Sequence, residues 1–220
     1  MNLELKKELP IIGIVMIPFV YLAFIWNSLP ERVPIHWNSN GQIDDWGSKT
    51  FLVVLVFLLP VLMYVVMFVA AKFDPKKRIA LMGNKFYQLK FFMVLLMSLL
   101  ALFILYVSKN QSVSNPNLMY VLAGILITVL GNYFKVIQPN YFIGIRTPWT
   151  LESNEVWKAT HAFAGKLWFF GGLIIILGGL IFSGFIFAKA FVVIGITLAF
   201  VPVAYSFIKF KQLEKKQDKL

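Results

Sequence analysis

Residues 131–165 read GNYFKVIQPNYFIGIRTPWTLESNEVWKATHAFAG and place a dense set of polar and aromatic side chains between two apolar segments of membrane length. A passive connection needs only small and charged residues, whereas this one supplies hydrogen-bond donors and acceptors, charges and rigid rings. We therefore expect this stretch to bind a ligand or a partner. Its candidate binding residues are Asn132, Asn140, Arg146, Thr147, Trp149, Thr150, Glu152, Trp157, Thr160 and His161.

The composition places the chain among integral membrane proteins. Of its 220 residues, 59% are hydrophobic and only 14% are charged, and the mean hydropathy is +0.76. A helix needs about 20 apolar residues to cross the hydrocarbon core of a bilayer. We expect a turn at 184–189 to separate the last two apolar segments. The predicted fold is an all-α, polytopic membrane helix bundle with six transmembrane helices, at 9–26, 51–71, 89–107, 118–134, 167–183 and 190–208.

The distribution of positive charge predicts the orientation of these helices. Seventeen of the 21 Lys and Arg residues fall at the termini and in the second and fourth connections, and four fall in the other connections. Because basic residues accumulate on the cytoplasmic side, both termini are predicted to be cytoplasmic. The net charge of +11 is then explained by topology and lipid headgroups, so direct binding of nucleic acid is disfavoured. The chain has no cysteine, which excludes disulfides and thiol catalysis.

The first connection, 29–50, is predicted to lie outside the cell and to be ordered, since Pro30 and Pro34 restrict its backbone and Asn40-Gly41 favours a turn. Two interpretations of its polar side chains stay open. They could form a recognition or metal-binding surface, or they could form internal hydrogen bonds that hold a compact hairpin. We favour the second, because one histidine with two adjacent carboxylates is a weak metal signature, and we predict no metal. The candidate residues are His36, Trp37, Asn38, Asp44 and Trp46.

The fourth connection is predicted to be cytoplasmic and to end in a helix that starts near Thr150 or Ser153. On that helix one face carries Trp157, His161, Ala164 and Trp168. Further along, glycines recur every seven residues beside a second small residue, which predicts a smooth ridge for close packing by another helix. These pairs are Ala164-Gly165, Gly171-Gly172 and Gly178-Gly179.

Arg146 and His161 each allow a structural and a functional interpretation. The guanidinium of Arg146 could pair with Glu152 or Glu155, or it could bind a lipid phosphate or a ligand carboxylate. The ring of His161 could be a buried neutral group satisfied by nearby polar residues, or it could act as an acid or base. For each residue we favour the structural interpretation.

The arrangement of ionisable residues argues against catalysis. His36 and His161 are predicted to lie on opposite sides of the membrane, and no predicted helix has an acidic, basic or histidine residue at its centre. Such central residues usually mark ion-coupled transporters. We therefore predict no enzyme, no catalytic residue and no cofactor. The alternative is a membrane-embedded enzyme, or a lipid or small-molecule transporter, that uses the cluster from Arg146 to His161.

Two motifs resemble one protein family. The stretch NYFIGIRTPWTLESNEVWKATH at 140–161 closely resembles the hallmark of the SdpI-like family of bacterial immunity proteins. The pattern P-x-H-W-N-x-x-G-x-x-D-x-W at 34–46 is similar to a module often found ahead of such domains. On this resemblance, 1–71 contains two helices with the external loop, and 72–220 forms a four-helix SdpI-like domain.

The resemblance also implies a function. It predicts a multi-pass protein of the bacterial cytoplasmic membrane that protects against a secreted peptide toxin by binding. A further implied role is signal transduction by sequestering a cytoplasmic transcriptional repressor. The expected partners are therefore the lipid bilayer, a peptide toxin and a repressor protein.

Overall fold

The chain folds into a bundle of long helices with one small hairpin at one end. The computed structural model describes residues 5–37, 43–75, 77–111, 117–182 and 184–217. The hairpin contains β1 (Arg32–Trp37) and β2 (Ile43–Ser48). The helices are α1 (Leu5–Ile25), α2 (Thr50–Val56), α3 (Leu62–Phe73), α4 (Asn84–Asn110), α5 (Asn117–Phe134), α6 (Pro148–Glu152), α7 (Asn154–Ile181) and α8 (Gly184–Gln217).

Six helical segments of the described chain are long and apolar enough to cross a membrane, which confirms the predicted bundle. Helices α2 and α3 form one of them, joined through a π-helical turn at Phe57–Val61 that accommodates Pro60, a residue without a backbone N–H. The turn predicted at 184–189 is wrong, because α7 ends at Ile181 and α8 already begins at Gly184. The six segments are Lys6–Ser28, Thr50–Phe73, Asn84–Asn110, Asn117–Phe134, Asn154–Ile181 and Phe187–Lys216.

Helices α5 and α7 pack with their backbones in contact. A Cβ atom built on Gly172 would lie 2.7 Å from the carbonyl oxygen of Gly124, and one built on Gly165 would lie 2.9 Å from that of Gly131. Any side chain larger than hydrogen would therefore force the helices apart. The predicted role of the glycines in helix packing is confirmed, and α5 is the helix that packs against them.

The second row of small residues on α7 faces α8. A Cβ atom on Gly171 would lie 2.7 Å from Leu198, and one on Gly178 would collide with the ring of Phe187. Adjacent glycines thus serve two different neighbours, because consecutive residues on a helix point about 100° apart. Helix α7 is accordingly the central element of the C-terminal half.

A buried ion pair ties α1 to α4. Nζ of Lys90 lies 2.6 Å from Oε1 of Glu8, and the hydroxyl of Tyr64 donates to Oε2 of Glu8 at 3.1 Å. Lys90 lies in the second turn of α4 with only 6% of its side chain exposed. The carboxylate makes this burial possible, because a buried ammonium without a partner is strongly disfavoured.

Hydrogen bonds between connections show which loops share an end of the bundle. Arg78 Nη1, in the connection between α3 and α4, donates to Oδ1 of Asn154 at 3.0 Å. At the other end, Asn117 Nδ2 donates to the carbonyl of Phe182 at 3.0 Å. The basic connections therefore meet at one end of the molecule, which we call the basic end. That this end is cytoplasmic stays a prediction.

The hairpin at the opposite end contains the hydrogen bonds expected of a compact loop. Strands β1 and β2 are antiparallel. His36 Nδ1 lies 2.6 Å from Oδ1 of Asp44, and Oδ1 of Asp45 accepts from the N–H of Trp46 at 2.8 Å. Asn38 and the side chain of Trp37 lie outside the described residues.

Candidate functional site

Asn140 organises the loop between α5 and α6. Its Oδ1 accepts from the backbone N–H groups of Phe142 and Ile143 at 2.8 and 2.7 Å. Its Nδ2 donates to the carbonyls of Gln138 and Ile143 at 2.8 and 3.0 Å. Asn140 is only 1% exposed, so water does not reach these bonds. They satisfy backbone N–H and C=O groups of the turn that have no partner in a helix or strand. Asn140 therefore shapes the loop from inside.

His161 receives the end of this loop. Its Nε2 accepts from the N–H of Ile145 at 3.0 Å, and its Nδ1 lies 2.9 Å from the carbonyl of Trp157. A nitrogen that accepts from an N–H must keep its lone pair, so the ring is neutral with the proton on Nδ1. Both nitrogens of this buried ring are therefore occupied, as the structural interpretation predicts.

Gly144 makes this approach possible. Its φ is +113°, and a Cβ atom at this position would collide with Nε2 of His161 and lie 3.2 Å from the ring of Trp157. Only glycine adopts such a backbone conformation readily. The chain can therefore turn against the imidazole and present the next N–H group to it.

Trp157 forms the base of the site. Its Nε1 donates to the carbonyl of Ile137 at 2.9 Å, and its ring stacks on that of His161 with centroids 4.1 Å apart. Phe134 contacts the same imidazole edge-on at 5.8 Å. The predicted stripe is confirmed, since Trp157, His161 and Ala164 are buried along one face of α7. Trp168 continues this face and donates to the carbonyl of Leu198 at 2.8 Å.

Thr147 and Thr150 form the start of α6. The hydroxyl of Thr147 accepts from the N–H of Thr150 at 3.3 Å, and Oγ1 of Thr150 accepts from the N–H of Thr147 at 2.9 Å. This reciprocal capping satisfies two N–H groups that a helix start leaves unpaired. Helix α7 begins separately, with Ser153 as its N-cap, in agreement with one of the two predicted starts.

Trp149 attaches α6 to the last helix. Its Nε1 donates to Oγ of Ser206 at 2.5 Å, and its ring lies edge-on to Phe207 at 5.3 Å. Sequence reasoning missed Ser206. An isolated serine within an apolar helix was the available signal, but it does not identify its partner.

Arg146 does not pair with Glu152 or Glu155, so the predicted ion pair is wrong. Its Nη1 donates instead to the carbonyl of Tyr141 at 2.5 Å, across the base of the loop. The arginine side chain is exposed, and it forms no ion pair with a carboxylate in the part of the chain that the structure describes. A backbone carbonyl suffices because an exposed guanidinium keeps its hydration.

The candidate residues thus separate into a buried scaffold and an exposed rim. Thr160 belongs to the scaffold, and its hydroxyl is buried without a hydrogen-bond partner among the described residues. Trp149 is half-buried against α8. The scaffold consists of Asn140, Thr147, Thr150, Trp157, Thr160 and His161, whereas the rim consists of Asn132, Arg146 and Glu152.

Comparisons with known proteins find two family models and one curated relative that match this chain. A model of the SdpI/YfhL protein family matches residues 136–207, and a model described as a domain of unknown function (DUF1648) matches 13–64. "Immunity protein SdpI" of Bacillus subtilis (strain 168) is 29% identical over 173 residues, which cover 78% of this chain and 80% of that protein. No solved structure matches. The chain thus combines six membrane-length helices with a C-terminal region similar to the SdpI/YfhL family and an overall similarity to an SdpI immunity protein.

Proposed function

We propose that this protein is a membrane immunity protein that protects its host against a secreted antimicrobial peptide by binding. The observation that carries the proposal is the similarity to an immunity protein, which extends over about four fifths of both chains. A match over 78% of the chain necessarily includes the 140–161 motif and the central helices. It therefore favours a shared role for the whole bundle.

The geometry of the site favours binding over catalysis. A general acid or base needs a nitrogen or oxygen that can exchange a proton with a substrate. His161 has neither ring nitrogen available, since one accepts from Ile145 and the other donates to Trp157. The rim has exposed charges instead. These features support a protein that recognises a partner, with a membrane-embedded enzyme or transporter as the alternative.

We place the partner surface on the rim around Arg146. Tyr141 and Phe142 are 45% and 39% exposed beside it, so an aromatic surface adjoins a guanidinium with unused N–H groups. Arginine and aromatic residues dominate the binding energy of many protein interfaces. A peptide carboxylate could accept two parallel hydrogen bonds from the guanidinium. In this proposal the buried scaffold holds the rim in place.

Sequestration of a cytoplasmic repressor is a second candidate role. Helix α8 has 34 residues and is about 51 Å long, which exceeds the roughly 30 Å hydrocarbon core. Its last turns and the start of α7 line a groove of about 310 Å³ that includes Glu155, Phe210 and Leu213. A groove of mixed charge and apolar surface beyond the membrane is suited to a protein segment.

Protection assays with rim variants test the proposal. A sensitive bacterial host that expresses the protein is challenged with a panel of membrane-active bacterial peptides. We expect protection against at least one peptide, up to a threshold dose that rises in proportion to the amount of protein. Arg146→Ala should lower the threshold at least tenfold, the loss expected when about 1.4 kcal/mol of binding is removed. Arg146→Lys should recover only part of it, because lysine lacks the planar fork.

Two controls separate binding from other causes. Lys189→Ala, at the opposite end of the bundle, should leave the threshold unchanged, and all variants should match the wild type in abundance and thermal stability. Purified protein in lipid is then incubated with the peptide and followed by mass spectrometry. A covalent product that accumulates with time, and that His161→Ala abolishes while the protein stays folded, would establish catalysis in place of binding. Failure to protect against every peptide would contradict the immunity role itself.

A further inference from the structure

A groove lies beside the crossing of α5 and α7 at the basic end. Its volume is about 360 Å³. The floor is made of small residues, because Gly131 and Gly165 bring the two helices into backbone contact there. The walls are long side chains from both helices. The polar lining residues are Asn132, Lys135 and Lys166, and the aromatic ones are Phe169 and Phe170.

The polar residues of this groove have no partner among the residues that the structure describes. Asn132, Lys135 and Lys166 are exposed, and no hydrogen bond or ion pair joins their side chains to another residue of the described ranges. A neighbouring cavity of about 280 Å³ shares Lys135 and adds Lys158. Lys158 and Lys166 lie two helical turns apart on α7, so they share one face. Three lysines therefore line the two cavities, and no carboxylate lines either of them.

The groove lies at the level of the membrane boundary. Helix α5 ends at Phe134 after 18 residues, or about 27 Å, so Lys135 directly follows a segment as long as the hydrocarbon core. Lys166 lies at the same height, since the adjacent Gly165 contacts Gly131. Phe169 and Phe170 follow one turn further along α7 toward the bilayer centre. Lysines at this depth extend to the headgroup layer, where phosphates can neutralise them.

We propose that this groove is a binding site for an anionic phospholipid. The headgroup phosphate lies between Lys135 and Lys166, the amide of Asn132 donates to an ester or glycerol oxygen, and an acyl chain lies along Phe169 and Phe170. A zwitterionic lipid brings its own ammonium group, which the lysines repel. A soluble phosphate ion has no apolar part for the aromatic wall. The combination of basic and aromatic walls thus favours an anionic membrane lipid over a zwitterionic lipid and over a soluble phosphate ion.

Lipid titration of the purified protein tests this site. Protein in detergent micelles is titrated separately with phosphatidylglycerol, phosphatidylcholine and inorganic phosphate. Native mass spectrometry measures the number of bound lipids, and intrinsic tryptophan fluorescence measures the melting temperature. We expect phosphatidylglycerol alone to bind and to raise the melting temperature. The double variant Lys135→Gln/Lys166→Gln should bind it about 30-fold more weakly, the effect of two charges near an anionic surface.

A matched pair of lysines provides the control. Lys109→Gln/Lys189→Gln removes two exposed lysines from the opposite end of the bundle and should bind phosphatidylglycerol as the wild type does. Equal binding by the Lys135/Lys166 variant would overturn the proposal, as would equal loss in the control pair. Stabilisation by inorganic phosphate would show a simple anion site instead. Equal binding of phosphatidylcholine would show that the groove does not select charge.

Discussion

The contact between Gly144 and His161 shows how one residue without a side chain determines the shape of the loop between α5 and α6. The loop backbone passes so close to the imidazole that Ile145 donates directly to Nε2 at 3.0 Å. The sequence favours burial of His161 as a neutral ring, because many polar residues lie near it along the chain. Its role as acceptor for a backbone N–H is not predictable from the sequence, since the pattern of side chains does not indicate which backbone groups are nearby.

Replacing Gly144 should therefore damage the loop more than replacing a glycine in open space. Gly144→Ala places a Cβ atom against His161 at a φ of +113°, which costs on the order of 1–3 kcal/mol. Gly195→Ala is the control, because a Cβ atom there meets nothing within 4 Å. Thermal unfolding in detergent should show a lower melting temperature for Gly144→Ala and an unchanged or higher one for Gly195→Ala. Equal stability of both variants would show that the loop does not depend on this approach.

At the scale of helices, the pair α5 and α7 and the pair α1 and α4 are held together by different kinds of contact. Helices α5 and α7 associate through glycine backbones, which the seven-residue repeat predicts. Helix α1 associates with α4 through apolar residues and through the ion pair of Glu8 with Lys90. Nothing in the local sequence around either charge indicates this pair, because its members are 82 positions apart. Because the pair is buried, we expect the loss of one partner to lower the stability of the protein more than the loss of both.

Removing one partner of this pair should be worse than removing both. Lys90→Met leaves the carboxylate of Glu8 buried without its cation, which costs about 3–5 kcal/mol. Glu8→Leu/Lys90→Met removes both charges and should recover most of that loss. Lys211→Met breaks the exposed pair with Glu214 and should change the stability by at most about 1 kcal/mol. Denaturant unfolding in mixed micelles measures all three variants. A double variant as unstable as Lys90→Met would contradict the ion-pair argument.

At the scale of the whole molecule, basic residues gather at one end of a six-helix bundle. The hydrogen bond of Arg78 with Asn154 joins two basic connections at this end, and the hairpin lies at the other. The positive-inside rule predicts that the rim around Arg146 and the lipid groove lie on the cytoplasmic side. This orientation decides from which side a partner reaches the 140–161 motif.

Single cysteines test this orientation cleanly, because the chain has none of its own. Cysteine replacing Glu31, next to the hairpin, should react in intact cells with a thiol reagent that cannot cross the membrane. Cysteine replacing Glu155, at the start of α7, should react only after the cells are permeabilised. Both positions are exposed, so accessibility in the folded protein does not limit either reaction. The reverse labelling pattern would invert the predicted topology.

The sequence by itself determined the membrane class, the six helices, the basic end and the packing role of the glycines on α7. These properties follow from hydropathy, charge and periodicity, which are read along short stretches of chain. Only the tertiary structure decided that Lys90 is buried against Glu8, that Arg146 contacts the carbonyl of Tyr141, and that Trp149 reaches Ser206 at a separation of 57 positions. It also separated the candidate site into scaffold and rim. Such outcomes depend on which distant segments meet in space, and a local pattern of residue types does not encode that.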